Sequence, residues 1–391
     1  AFSQWRHEFK AGVKSFQVAR ATSSRNSTSE PLASTSSRCP STKSRTPGVG
    51  NVGSKLIEQL HNQKAFLQDQ LKLNIKVVGL SNSRKMTTHA DGIDLNKWED
   101  ILAAGDKADS AGFFELAKNL NLRNSIYVDN TANEKIAHTY PPYLKESISV
   151  VTCNKIAAAE SYTYYNSLKQ LARTYNAPYL FETNVGAGLP IIDTLNHLIT
   201  SGDKVHSIQA ILSGSLNFVF NEFSDKTTFR EVVQQAMDAG FTEPDPKIDL
   251  SGVDVARKIL ILARESGMLM ELSDIDNDSF LPKACLETKD NESFLASLDE
   301  HNDHFTKLYA SAKKNNSRLK YVAELVDGKA KVGLKEIPAS HDFYNLSGSD
   351  NIVLFYTDRY KDQPMIVKGA GAGGDVTASG IFADIIRIAK Q

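Results

Sequence analysis

Cysteine is scarce in this 391-residue chain: Cys39, Cys153 and Cys285 stand far apart and are odd in number. That excludes a disulfide framework and a thiolate metal cluster, and it points to a reducing compartment. The nine histidines, His206 among them, form no metal-binding motif, so no catalytic transition metal is expected. An excess of charge is missing as well: 45 lysines and arginines face 46 aspartates and glutamates, for a net charge of −1. Such a balance removes the electrostatic basis for a nucleic-acid or anionic-membrane partner. No apolar run approaches the ~18 residues that a membrane-spanning helix requires. A soluble intracellular protein of two domains is therefore expected.

A buried strand is also absent where one is needed. Gly48, Gly50 and Gly53 in "TPGVGNVG" (46–53) make the G-x-G-x-x-G turn that brings a dinucleotide's pyrophosphate to a helix N-terminus. Asn51 and Val52 lie inside it. Such a turn ordinarily hangs from a buried strand, yet "RCPSTKSRTP" precedes it, interrupted by proline and charge. From Ala21 to Thr46 serine and threonine dominate, and Glu30 is the only acid. Such a segment cannot bury enough apolar surface to offset its ordering entropy, so residues 1–47 are expected to be a disordered or foreign leader. An organelle transit peptide has this Arg- and Ser-rich, acid-poor composition, but a gene-model error that replaced the first strand is favoured. The parallel sheet would then lack a central member, leave two neighbours unpaired and bind its cofactor poorly.

Downstream, the context suits a nucleotide domain. Leu56, Leu60, Leu67 and Leu71 fall near helical spacing. "IKVVGL" (75–80), "SIYVDNT" (125–131) and "ISVVTCNK" (148–155) read as buried strands separated by helices. The alternation predicts an α/β fold with a Rossmann-type doubly wound parallel sheet. The strands end in small polar residues, which line the crevice where such sheets hold ligands. An NAD-preferring site would place an acid at the end of the second strand. "GLSNSRKM" offers Ser81, Ser83 and Arg84 instead, which favours NADP over NAD, against the blander reading of a solvated basic loop. From about Tyr179 an α+β part follows, with a hairpin at "LKYVAELVDGKAKVGLKEI" (319–337) turning on Asp-Gly. The closing helix, "DVTASGIFADIIRIAK", is expected to pack its apolar face back on the first domain.

The densest chemistry lies in "GFTEPDPKIDLSGVDVARK" (240–258). Two prolines fix a loop that presents Glu243, Asp245 and Asp249. Asp254 and Lys258 then stand four apart, on one helix face. Such a pair is ordinarily a surface salt bridge. Here "ILILA" follows, which marks a buried helix, and a lysine at its mouth beside carboxylates is a candidate acid/base group.

Together with "TCNK" (152–155), "ETNVGAGLPII" (182–192), "SGSLNFVFNEF" (213–223) and "GAGAGGDVTASGIFADI" (369–385), this stretch resembles the homoserine dehydrogenase family. The resemblance covers residues 48–391 and is nearest to the dehydrogenase half of bifunctional aspartokinase–homoserine dehydrogenases. It implies reversible NAD(P)-dependent hydride transfer between L-homoserine and L-aspartate 4-semialdehyde, in threonine, methionine and isoleucine biosynthesis. By that resemblance Lys258 is the acid/base for the C4 hydroxyl, and Asp254 orients it. Asp254, Asp249 and Glu243 bind substrate, Glu243 through the ammonium group, and Lys155 sits where nicotinamide meets substrate. Gly48, Gly50, Asn51, Val52, Gly53, Arg84, Thr131, Lys155, Gly240, Gly373 and Thr377 would surround the cofactor. A sodium ion would take backbone carbonyls of Glu182, Val185, Ala187 and Leu189.

The same resemblance implies a dinucleotide-binding domain from residues 48–178 and 370–391. Residues 179–369 would be the substrate-binding, catalytic and dimerisation domain of a homodimer, cytoplasmic unless the leader directs import into an organelle. Two rivals are weighed against this reading. An aspartate-semialdehyde dehydrogenase needs a cysteine nucleophile, for which Cys153 is the only candidate. A protein that kept the fold but binds cofactor poorly would follow from the missing strand, although this chain retains both Lys258 and Glu243.

Overall fold

The computed structural model describes residues 15–21 and 51–391. Its first sheet is formed by β1 (Ser15–Ala21), β2 (Asn74–Ser81), β3 (Lys85–Thr88), β4 (Asp106–Lys107), β5 (Ser125–Asp129), β6 (Ser149–Thr152) and β7 (Tyr179–Leu180). The spatial order is β4-β3-β2-β1-β5-β6-β7. β5, β6 and β7 are mutually parallel, and β2 runs with them, because β2 and β5 are both antiparallel to β1. Every residue of β5 and β6 is buried, as expected of strands with helices on both faces. The α/β, Rossmann-type class predicted by the alternating strands and helices is the class observed.

One expectation is corrected. β2 and β5 are not left unpaired: Ser15–Ala21, from within the leader, lies between them, with Phe16 opposite Leu80 on one side and Val128 on the other. Backbone pairing asks only for an extended run of N–H and C=O groups, and "SFQVARA", just ahead of the Ser/Thr-rich segment, provides one. The strand is reversed relative to an ordinary first Rossmann strand. Ser15 therefore sits at the crevice end, opposite Ser81 and Asp129, and Ala21 at the far end, opposite Asn74. The remaining leader residues, together with Gly48 and Gly50 of the glycine turn, lie outside the described residues.

The second sheet comprises β8 (Val205–Ile211), β9 (Asp276–Asp278), β10 (Ser317–Val326), β11 (Lys329–Pro338), β12 (Asp350–Thr357) and β13 (Met365–Ala370). Their order is β13-β12-β8-β10-β11-β9. β10 and β11 form the anticipated hairpin, and Asp327 and Gly328 both take positive φ, the geometry of a two-residue I′ turn.

The crevice is positioned by two apolar cores. In one, Ala378, Ile381, Ile385 and Ile388 of the C-terminal helix (Gly374–Ala389) pack with Leu56, Ile57 and Leu60 of the first helix (Asn51–Asn62) and with Val77, Ile126 and Val151 of the sheet. At about 1.5–3 kcal/mol for each fully buried large side chain, this packing fastens the last element of the chain to the first sheet. The other core runs unbroken from Tyr127 and Val150 through Ile259 and Leu262 of the helix Val253–Glu265 to Ile208 and Val353, joining the two sheets. Among the described residues no helix is long and apolar enough to cross a membrane.

Candidate active site

The helix Val253–Glu265 begins at Gly252, which has φ +73° and is pressed against the Tyr321 hydroxyl; a Cβ there would lie 1.9 Å from that oxygen. Only glycine combines that conformation with that approach. One turn into the helix the Lys258 Nζ meets Asp254 Oδ2 at 2.8 Å, and it also donates to the Leu212 carbonyl at 2.6 Å. From the end of β6 in the first sheet, Lys155 brings its Nζ to 3.5 Å from Asp254 Oδ1. One carboxylate therefore holds two ammonium groups, one from its own helix and one from a strand end of the first sheet. Burial tends to raise the Asp254 pKa, but the two lysine charges outweigh it and hold the carboxyl below the usual range. Burial pushes the Lys258 ammonium down from its usual value; Asp254 opposes that shift and the nearby Lys155 charge adds to it. A buried lysine whose ammonium is weakened in this way and held by a carboxylate is a candidate acid/base group.

The acidic loop is tied to this pair through Asp249. Its Oδ2 accepts the Glu243 N–H at 2.8 Å and its Oδ1 accepts the Ser215 hydroxyl at 3.0 Å. Glu243 itself is exposed, and no described residue pairs with its carboxylate, which is free to receive a cation. Asp245 serves a local purpose instead, capping the short helix Pro246–Leu250 through the Lys247 N–H. Gly240 ends the preceding helix with φ +72° and open space around its Cα, so the chain turns into the loop there.

Sequence reasoning missed how Thr131 and Lys155 are held. Asp129, fully buried, accepts the Tyr140 hydroxyl at 2.6 Å, the Thr131 N–H at 2.8 Å and the Asn154 amide at 3.1 Å. Asn154 also donates to Thr131 Oγ1 and to the Asn133 carbonyl. The residues on either side of the crevice wall are thus fixed by one network at the ends of β5 and β6. Burial raises the Asp129 pKa, and its hydrogen bonds work against that. A hint lay in the "DNT" and "TCNK" strand ends, but Tyr140 carried no signal. Farther along, Arg264 has its guanidinium fully buried, donating to the Ala158 and Glu160 carbonyls and pairing with Glu271 at 2.9 Å. That clamps the lysine helix to the segment just after Lys155.

Cys153 is no nucleophile: burial pushes its thiol up to about 12, which removes the thiolate that an acylating cysteine needs. Arg84 lies on the exposed turn between β2 and β3, where Asn82 Oδ1 accepts the backbone N–H of both Arg84 and Lys85 at 2.8 Å. Asn51, Val52 and Gly53 open the first helix, with Gly53 buried. Gly373 precedes the C-terminal helix with φ +121°, and Thr377 N–H bonds its carbonyl. The helix start closes on the glycine-turn side, since a Cβ on Gly374 would lie 2.8 Å from Asn51 Nδ2. Glu182, Val185, Ala187 and Leu189 form a separate tight turn against the same helix. In it Ala187 and Gly186 have positive φ, and the Glu182 carboxylate accepts the Ile192 and Asp193 N–H groups, each at 2.7 Å.

Comparison with known proteins bears on this arrangement. The family model for homoserine dehydrogenase matches residues 190–386, and that for the homoserine dehydrogenase NAD-binding domain matches residues 48–182. The chain is 42% identical to the chloroplastic bifunctional aspartokinase/homoserine dehydrogenase 1 of Arabidopsis thaliana, covering 88% of this chain and 38% of that protein. It thus spans well under half the length of such bifunctional relatives. A homoserine dehydrogenase of Schizosaccharomyces pombe is 35% identical, with 88% of this chain and 94% of that protein covered. A hyperthermophilic archaeal homoserine dehydrogenase solved with NADPH superposes with a TM-score of 0.68 at 25% identity, over 87% of this chain and 95% of that one. The chain belongs to the homoserine dehydrogenase family.

Proposed function

We propose that this protein catalyses reversible NADP-dependent hydride transfer between L-homoserine and L-aspartate 4-semialdehyde. The observation that carries the reading is the meeting of Lys155, Asp254 and Lys258 at the mouth of the crevice. The crevice fits a dinucleotide: a helix N-terminus opens at Asn51, Thr131 and Lys155 line the strand ends, and the glycine segment before Gly374 leaves main chain rather than side chains facing it. When bound, NADP would accept or supply the hydride at C4 of the substrate. Lys258 takes the C4 hydroxyl proton during oxidation and returns it to the aldehyde oxygen during reduction. Asp254 aims Lys258 and stabilises the ammonium formed when the proton is taken, and Lys155 polarises the same oxygen. Glu243 and Asp249, one hydrogen bond apart, receive the substrate ammonium.

Support for NADP comes from the end of β2, where Ser81 and Asn82 stand instead of an acid and Arg84 follows on the turn. The likeness to a relative crystallised with NADPH agrees with this. Residues 48–178 with 370–391 serve as the nucleotide domain, and 179–369 as the substrate and homodimer domain. Sodium binding by the Glu182–Leu189 turn rests on the family resemblance and on the sharp turn of the chain at Gly186 and Ala187, both at positive φ. The leader suits either cytoplasmic residence or import into an organelle, and several relatives are named as chloroplastic.

The test is the absorbance change at the nicotinamide band with purified protein, NADP and L-homoserine, run beside NAD. No turnover with either cofactor overturns the proposal. Replacing Arg84 by alanine removes one charge-assisted contact, worth roughly 1.5–3 kcal/mol, so NADPH affinity should fall about ten- to hundred-fold while NADH affinity holds. Equal losses for both cofactors would remove Arg84 from phosphate recognition.

A further inference from the structure

Asn351 is a buried polar side chain that the reaction as proposed leaves unused. It lies in β12, fully buried, and neither of its amide atoms has a hydrogen-bond partner among the described residues. Buried amides in folded proteins are nearly always paired, because an unmade bond costs the full desolvation of the group. Its surroundings show what the amide serves. Asn351 pairs with Gly369 of β13 on one side, and on the other its neighbour Ile352 pairs with Ile211, the last residue of β8, just before Leu212, whose carbonyl receives the Lys258 ammonium. Alternation along β12 puts Asn351 on the face of Val353 and Phe355, in the core shared with the lysine helix, while Ile352 and Leu354 face the other side. Directly over the amide runs the backbone of Gly371: a Cβ built there would fall 2.0 Å from Asn351 Cγ and 2.2 Å from its Nδ2. Gly371 belongs to the segment that leaves β13, passes Gly373 and enters the C-terminal helix beside Asn51.

We infer that Asn351 is a positioning residue for the cofactor: with a dinucleotide in the crevice, its amide hydrogen-bonds the main chain of residues 371–373. This inference rests on the NADP-dependent reading above. An amide offers both donor and acceptor, and a stretch of glycine and alanine presents both main-chain groups within short reach. Gly373, at φ +121°, ends the segment as a joint about which it can turn. Such bonds, made when the cofactor binds, couple cofactor binding to the strand end that holds Lys258.

Asn351→Leu, of similar size without polar atoms, separates this role from a structural one. Thermal melts with and without NADPH, NADPH binding by fluorescence titration, and KM for NADPH against kcat are measured beside wild type. The free variant should melt at or above wild type, since two unpaired polar atoms are gone. Its NADPH dissociation constant should rise roughly ten-fold, the NADPH-induced melting shift should shrink, and KM for NADPH should rise by more than kcat falls. A variant that melts lower yet binds NADPH as wild type does overturns the inference. Should Asn351→Leu not fold, Gly371→Ala is compared in the wild-type and Asn351→Ala backgrounds. The added methyl should weaken NADPH binding only where the amide is present to be crowded, and equal effects in both backgrounds overturn the inference. Wild type that fails to bind NADPH at all overturns the dehydrogenase reading, and the inference with it.

Discussion

Lys258 is set by opposing influences that can be separated one residue at a time. Burial and the Lys155 charge favour its neutral amine, while Asp254 favours the ammonium. Lys258→Ala should leave NADPH affinity nearly intact and lower turnover by a factor on the order of 10² or more, as loss of a general acid/base does. Turnover within a few-fold of wild type would deny the lysine that role. Asp254→Asn removes the group that raises the Lys258 pKa, so the lysine should lose its proton at lower pH. In the direction of aldehyde reduction, which needs the ammonium as acid, the high-pH limb of the kcat profile should move to lower pH. A limb that stays in place would assign it to another group. Of these residues, the Asp254–Lys258 pairing was legible from the four-residue spacing and the apolar run behind it. The Leu212 carbonyl was not, because a main-chain acceptor leaves no mark on residue identity.

At the scale of elements, two buried carboxyl groups meet where the C-terminal helix packs on the turn after β7, and one of them, Asp384, fastens the helix to that turn. Asp384 accepts the Glu182 N–H at 3.1 Å, and Glu182 caps the helix that begins at Ile192. Burial raises both, each to about 7. An ordinary carboxyl titrates near 4, so between roughly pH 4 and 7 the folded protein holds protons that the unfolded chain has released. Stability therefore falls as pH rises through that window and is lowest, for these groups, above it. Asp384→Asn keeps an acceptor for the Glu182 N–H and removes one ionisation. Its melting temperature should exceed that of wild type at pH 8 and match it near pH 4. A difference that is the same at both pH values would show that ionisation of Asp384 is not the cause.

For the whole molecule, the reversed strand β1 is the feature with the widest reach, since its backbone completes the sheet between β2 and β5. Ala19 is opposite Lys76 on one side and Ser125 on the other. Ala19→Pro removes a ladder donor from a central strand, where proline is not accommodated. At about 1–3 kcal/mol for a stranded backbone group and ~2–4 °C per kcal/mol, the melting temperature should drop by roughly 2–12 °C. An unchanged melt would mean that Ser15–Ala21 does not complete the sheet in solution. The sequence by itself determined the family and the α/β class. Strand runs such as "SIYVDNT", the glycine turn and the acidic loop are local patterns whose meaning depends on residue type and spacing alone. Only the tertiary structure decided which segment fills the central slot and in which direction it runs. Hydrogen bonding between strands depends on backbone conformation and leaves residue identity free, so "SFQVARA" could not be told from its surroundings. The same reason covers the close approach of Gly371 to Asn351 and the bond from Lys258 to the Leu212 carbonyl: each brings together segments far apart in the chain through main-chain atoms, which no single sequence records.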